Sequence, residues 1–129
     1  MTHPNRDLIK RAYDAFGRGD IPTVLSILDN KIRWHVPGQN PLSGDYIGHE
    51  QVLGFFQKSM ELSGGTLRIE LNDIVASDTT VFVLCTVSAT RSGQHGEFLE
   101  VHVWRIVDGR AIEFREFQGD EATENDFWV

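Results

Sequence analysis

His102 and Glu116 are ionisable residues standing where this chain should bury its side chains. His102 precedes Trp104 and Ile106 at alternate positions, and Glu116 follows Ile112 and Phe114 in the same way. In a β-strand, alternate residues share a face, so each polar group falls among apolar neighbours. Burying an ionisable group costs several kcal/mol unless it is paired. A carboxylate beside an imidazole raises the histidine pKa and fixes its tautomer. Such a pair moves a proton to or from a bound carbonyl compound or enol, an effect worth about 10²–10⁴-fold in rate. The blander alternative is that the two groups only satisfy each other or reach solvent at the mouth of a cavity. Tyr13, on the apolar stripe of the first helix, and His35, at the end of the first strand, are the candidates for a second proton donor. For Tyr13 the competing role is core packing, and for His35 it is an outward-facing position. Trp34, Phe55, Trp104 and Phe114 are the expected walls of a small-molecule pocket.

These side chains need strands to hold them. Four are expected, Thr66–Ala76, Thr80–Arg91, His95–Val107 and Arg110–Gln118, with Ser92-Gly93 and Asp108-Gly109 at tight hairpins. Alternation puts Glu100, His102, Trp104 and Ile106 on one face and Leu99, Val101 and Val103 on the other. A three-residue loop with Gly109 left-handed would pair Ile106 with Arg110 and His102 with Phe114. Glu116 would then lie diagonal to His102. A strict two-residue loop would set His102 against Arg115 instead.

The first half reads as helical. Leu8, Ile9, Ala12, Tyr13, Ala15 and Phe16 recur at helical spacing up to Gly17 and Gly19. Asp20 caps a second helix with Pro22 in its first turn. A short strand, Ile32–Val36, precedes a surface loop from Gln39 to Gly48. A third helix runs from His49 to Leu62, and Ser63-Gly64-Gly65 ends it. Asp120–Val129 is expected to form a short helix carrying Phe127 and Trp128. Helices first and an antiparallel sheet after make an α+β domain spanning residues 1–129.

Composition narrows the partners. The 129 residues carry a net charge of −7 and the pI is near 5.1, which argues against nucleic acid or an anionic membrane. No stretch approaches the roughly 18 apolar residues of a membrane span. The single cysteine, Cys85 in Val83–Val87, allows no internal disulfide and reads as core, which fits a reducing cytoplasm. No two histidines have helical or strand metal-ligand spacing, so no metal is expected. No glycine-rich loop joins a strand to a helix as nucleotide binding requires. Glu113, Asp120, Glu121 and Glu124 read as a solvated acidic face, with Glu116 the exception.

The order of elements, with Tyr13-Asp14-Ala15-Phe16 before Gly19-Asp20, resembles the nuclear transport factor 2-like superfamily. Trp34–Gly38, Pro41–Gly44, Gly48 and the ending Phe117…Phe127-Trp128 are similar to its SnoaL-like branch. The resemblance covers nearly the whole chain and implies a cystatin-like cone: a strongly bent sheet wrapped around three helices, with a pocket at its open end. It includes ketosteroid isomerases, polyketide cyclases, epoxide hydrolases and binding proteins without chemistry. Set against the isomerases, Val36 stands at the position of their Asp base, Tyr13 is one position from their helix-one tyrosine, and His102 replaces their protonated Asp. Steroid isomerisation by that mechanism is therefore not expected, and the absence of Arg-x-Asp on a strand weighs against the hydrolase chemistry. The resemblance also implies a homodimer, formed through the outer face bearing Leu99, Val101 and Val103. Three functions stay open: a cofactor-free isomerase, cyclase or hydratase acting on a cyclic or polyketide-like molecule, a non-catalytic binding or sensing module, and a dimerising scaffold.

Overall fold

The first helix, α1 (Pro4–Gly17), begins where Pro4 supplies a preset φ and the His3 ring accepts from Asn5 N. Asp20 caps α2 (Ile21–Ile27) by accepting from Thr23 N at 3.2 Å. The chain then enters β1 (Leu28–Val36), β2 (Gly44–Ile47) and α3 (Gly48–Leu62). Four long strands follow, β3 (Arg68–Ala76), β4 (Thr80–Arg91), β5 (Gln94–Val107) and β6 (Arg110–Gln118), and then α4 (Glu121–Trp128). This computed structural model describes residues 2–129.

The six strands form one sheet in the order β2-β1-β6-β5-β4-β3, curled around the helices but unclosed. α1 packs on β3 and β4, and α3 packs on β1 and β2. The core between them includes Ile9, Ile32, Val52, Val81, Val83 and Trp104. Two strand expectations need correction. The stretch from Gln39 to Gly48 is not all loop, because Gly44–Ile47 pairs antiparallel with β1. Nor is the sheet wholly antiparallel, since β1 runs parallel to β6 and sets Trp34 beside Phe114.

The β5–β6 hairpin differs from the expected three-residue loop. Asp108 and Gly109 both have positive φ (50° and 75°), and Val107 pairs with Arg110 across a two-residue turn. Such turns match the right-handed twist of the flanking strands. A bulge then restores the apolar parity: Ile106 pairs with Ala111 and Arg105 with Glu113, so Ile112 is the extra residue. His102 consequently faces Glu116 directly, not Phe114.

The outer face of the sheet carries an exposed apolar row. Phe82 pairs with Val103, Leu84 with Val101, and Val101 with Phe117. Phe82, Leu84, Leu99 and Phe117 are exposed, and Val101 and Val103 are half-buried.

The last helix closes one end of the cone. Asp120 caps it through Thr123 N. Asn125 Oδ1 accepts from Gln39 N and Asn40 Nδ2, tying the helix to the β1–β2 loop. Arg91 holds the helix end by donating to Phe127 O at 2.6 Å while its Nε donates to Leu62 O. Phe127 lies so close to Gly96 that a Cβ there would meet its ring at 2.8 Å, which explains the glycine.

Candidate functional site

Inside the curl is a cavity of about 90 Å³ between α1, α3, β1, β5, β6 and α4. Its walls are aromatic. Trp34 stacks on Phe114 at 3.8 Å and meets Trp104 and Phe56 edge to face at 5.5 Å. Phe55 completes that side. All four expected wall residues, Trp34, Phe55, Trp104 and Phe114, thus line the cavity.

Its polar end is built on β5 and β6, with one residue from each of α1 and α4. His102 (3% exposed), Glu100 (4%), Glu116 (9%) and Glu124 (1%) are all buried. The His102 Nε2 lies 2.8 Å from Glu100 Oε1 and 3.8 Å from Glu116 Oε1. Its Nδ1 lies 2.6 Å from the Tyr13 hydroxyl, which accepts from Trp104 Nε1 at 3.1 Å. Gln118 Nε2 donates to Glu116 Oε2 at 2.7 Å. Tyr13, His102 and Glu116 are therefore brought together, with His102 and Glu116 the expected neighbours. Tyr13 does more than pack, and its hydroxyl is tied across the domain to His102.

Two residues of the cluster carry no sequence signal of their role. Alternation sets Glu100 on the correct face, and the structure adds its contact with His102, the shorter of the two. Glu124 reads from the sequence as part of a solvated acidic face. It is instead folded inward by α4, and its exposed neighbours Glu121 and Asp120 hid the difference. His35 is a correction in the other direction. It faces away from the cavity and pairs with Asp45 at 2.6 Å on the outer surface, because Trp34 and Val36 take the inward positions of β1.

Burial sets the protonation of the cluster. It pushes the His102 pKa down to about 4, against the opposing pull of the Glu116 charge. The expected rise from a carboxylate neighbour is present but outweighed, because the ring has almost no solvent to stabilise its charged form. Burial and the Glu116 charge push Glu100 upward. Burial, then the hydrogen bond and charge of Glu100, push Glu124 up to about 11. Tyr13 is raised well above its usual value, chiefly by burial. The Cys85 thiol, 3.7 Å from His102 Nε2, is raised by burial and the same carboxylates, so it is a packed thiol and no nucleophile.

A neutral His102 bonded at both nitrogens allows two arrangements of hydrogens. In one, Tyr13 donates to Nδ1 and Nε2–H donates to a Glu100 carboxylate. In the other, a protonated Glu100 donates to Nε2, Nδ1–H donates to the Tyr13 oxygen, and the tyrosine proton is left for the cavity. The raised Glu100 pKa favours the second. Glu100, His102 and Glu116 also bring ligand atoms within 4.8 Å of one another. That spacing suits a shared divalent ion as well as a shared proton, and histidine spacing alone did not reveal it.

A model of the SnoaL-like domain matches residues 9–114. The uncharacterised protein Rv0034 of Mycobacterium tuberculosis is 27% identical over 124 residues, covering 95% of each chain. Among solved structures, Bal32a from a soil-derived mobile gene cassette has a TM-score of 0.94 at 29% identity, covering 98% of this chain and 97% of that one. A protein of unknown function with a cystatin-like fold from Xanthomonas campestris has a TM-score of 0.88 at 33% identity, covering 95% of each chain.

Proposed function

This chain belongs to the SnoaL-like domain family, and we propose that it is a small-molecule pocket protein with cofactor-free acid–base chemistry. The reaction is a proton shift next to a carbonyl, the step shared by isomerases, cyclases and hydratases. Its substrate is a cyclic or polyketide-like molecule. The observation that carries this reading is the buried chain Glu100–His102–Tyr13 ending at an aromatic cavity.

Glu116 takes a proton from the carbon beside the substrate carbonyl. The tyrosine proton passes to the carbonyl oxygen as the enol forms. Nδ1–H passes to the Tyr13 oxygen, and the Glu100 proton passes to Nε2. One proton leaves the substrate carbon for Glu116 and one reaches its oxygen from Glu100, so charge and atoms balance. Return of a proton to a different carbon completes an isomerisation, and attack of the enol on a second carbonyl completes a cyclisation. A neutral imidazole suits this relay, because it receives and gives a proton without carrying a buried charge between turnovers.

A test that needs no natural substrate is hydrogen–deuterium exchange at the α-carbon of 1-tetralone in D₂O, followed by NMR. The protein is expected to accelerate exchange, and Tyr13→Phe to slow it by about 10²-fold. Binding of 1-tetralone with no acceleration would favour the second reading, a non-catalytic binding or sensing module. One observation supports that alternative: both His102 nitrogens are already engaged by side chains.

Two further readings go with the first. The outer row Phe82, Leu84, Leu99 and Phe117 fits a second copy of the chain in a two-fold homodimer, which sedimentation would reveal as twice the monomer mass. The buried free thiol of Cys85 fits the cytoplasm. No helix among the described residues is long and apolar enough to cross a membrane.

A further inference from the structure

Among the described residues, three buried side-chain atoms have no hydrogen-bond partner: Trp34 Nε1, Gln118 Oε1 and Glu124 Oε2. All three residues line the same cavity. Buried polar groups are paired in the large majority of cases, so orphans such as Trp34 Nε1 and Gln118 Oε1 around one space point to a common partner.

Neither of the first two atoms can turn away. The Trp34 ring is held by its stack on Phe114 and its edge contacts with Trp104 and Phe56. Gln118 has its amide nitrogen committed to Glu116 Oε2 at 2.7 Å. Flipping the amide would set oxygen against oxygen, so its own oxygen stays the free end. An indole nitrogen only donates and an amide oxygen only accepts. The occupant must therefore bring an acceptor for Trp34 and a donor for Gln118.

Charge narrows the class. Glu100, Glu116 and Glu124 line the cavity, and no lysine or arginine does. An anion would lose its water there and find no cation among the lining residues. A bare ammonium has no acceptor to offer Trp34.

Building on the small-molecule reading above, we infer that the ligand is an uncharged aromatic or alicyclic hydroxy-ketone. A ligand oxygen accepts from Trp34 Nε1 and its hydroxyl donates to Gln118 Oε1. Ligands bearing a carboxylate are refused.

Calorimetric titration of the full chain with four probes of one size tests this: naphthalene, 1-tetralone, 6-hydroxy-1-tetralone and 2-naphthoate. The hydroxy-tetralone is expected to bind about 10-fold tighter than 1-tetralone and about 100-fold tighter than 2-naphthoate, since a site with committed polar groups rejects ligands that leave them unpaired. Trp34→Phe, which keeps the stack, should weaken both ketones about 10-fold and leave naphthalene unchanged. Gln118→Met should erase the advantage of the hydroxyl. Equal binding of 2-naphthoate and the hydroxy-tetralone by the unaltered protein would overturn the inference without any variant, as would an unchanged ketone-to-naphthalene ratio in Trp34→Phe. Naphthalene binding with no discrimination would refute this inference alone and leave the pocket reading standing. If none of the four bound, both would fall, and the orphan atoms would be served by water.

Discussion

Two histidines of this chain sit beside carboxylates at nearly the same distance. His35 lies 2.6 Å from Asp45 and His102 lies 2.8 Å from Glu100. The first pair is on the outer surface, where water and salt screen it. The second is sealed among Trp104, Phe114 and Tyr13, with two more carboxylates in reach of the same enclosure. Each pair sets an imidazole against a carboxylate at hydrogen-bonding distance. What differs is the medium: burial outweighs the upward pull of the Glu116 charge on His102, so that the inner imidazole stays neutral, and it favours protons on Glu100 and Glu124.

The contrast is broken most directly at the rings themselves. His102→Ala is expected to lower tetralone exchange by about 10²–10⁴-fold, while His35→Ala leaves it unchanged, both followed by NMR on folded protein. Equal losses would show that enclosure confers nothing special.

Acid stability sharpens it next. Unfolded His102 titrates near its ordinary 6.5 and folded His102 near 4, so the unfolded chain binds the proton first. The stability at stake is whole above pH 6.5 and is lost as the pH falls toward 4, by up to about 3 kcal/mol. Denaturant titrations of His102→Gln should show that acid limb flattened.

Glu124 acts with the opposite sign. Its folded pKa, about 11, exceeds the ordinary 4.5. The folded state therefore holds the proton, and stability is lost as pH rises above 4.5 toward that value. Glu124→Gln, which keeps an amide donor in place of the acid proton, should fall less steeply in stability between pH 7 and pH 9. The smallest effect belongs to the outer pair: Asp45→Asn should change stability by no more than about 1 kcal/mol, and less at high salt.

Strand alternation made much of this readable in advance. It placed Glu100, His102 and Trp104 on one face and the exposed Leu99 on the other, and the cap Asp20 marked a real helix start. The features that stayed hidden depend on contacts between distant segments. Pairing of Trp34 with Phe114 joins two strands on opposite sides of the helical layer in chain order. Glu124 has the same local surroundings as the exposed Glu121, and only docking of α4 under the hold of Arg91 separates them. The His102 pKa failed for a related reason: a pairwise rule gives a sign, but the depth of burial was not legible from two residues.

The bulge at Ile112 has a reach beyond its hairpin. Pairing without that bulge, with every residue kept, would carry every side chain from Phe114 to Gln118 to the opposite side of the ribbon. Arg115 would enter beside the imidazole, and Glu116 would be exported onto the oily exterior.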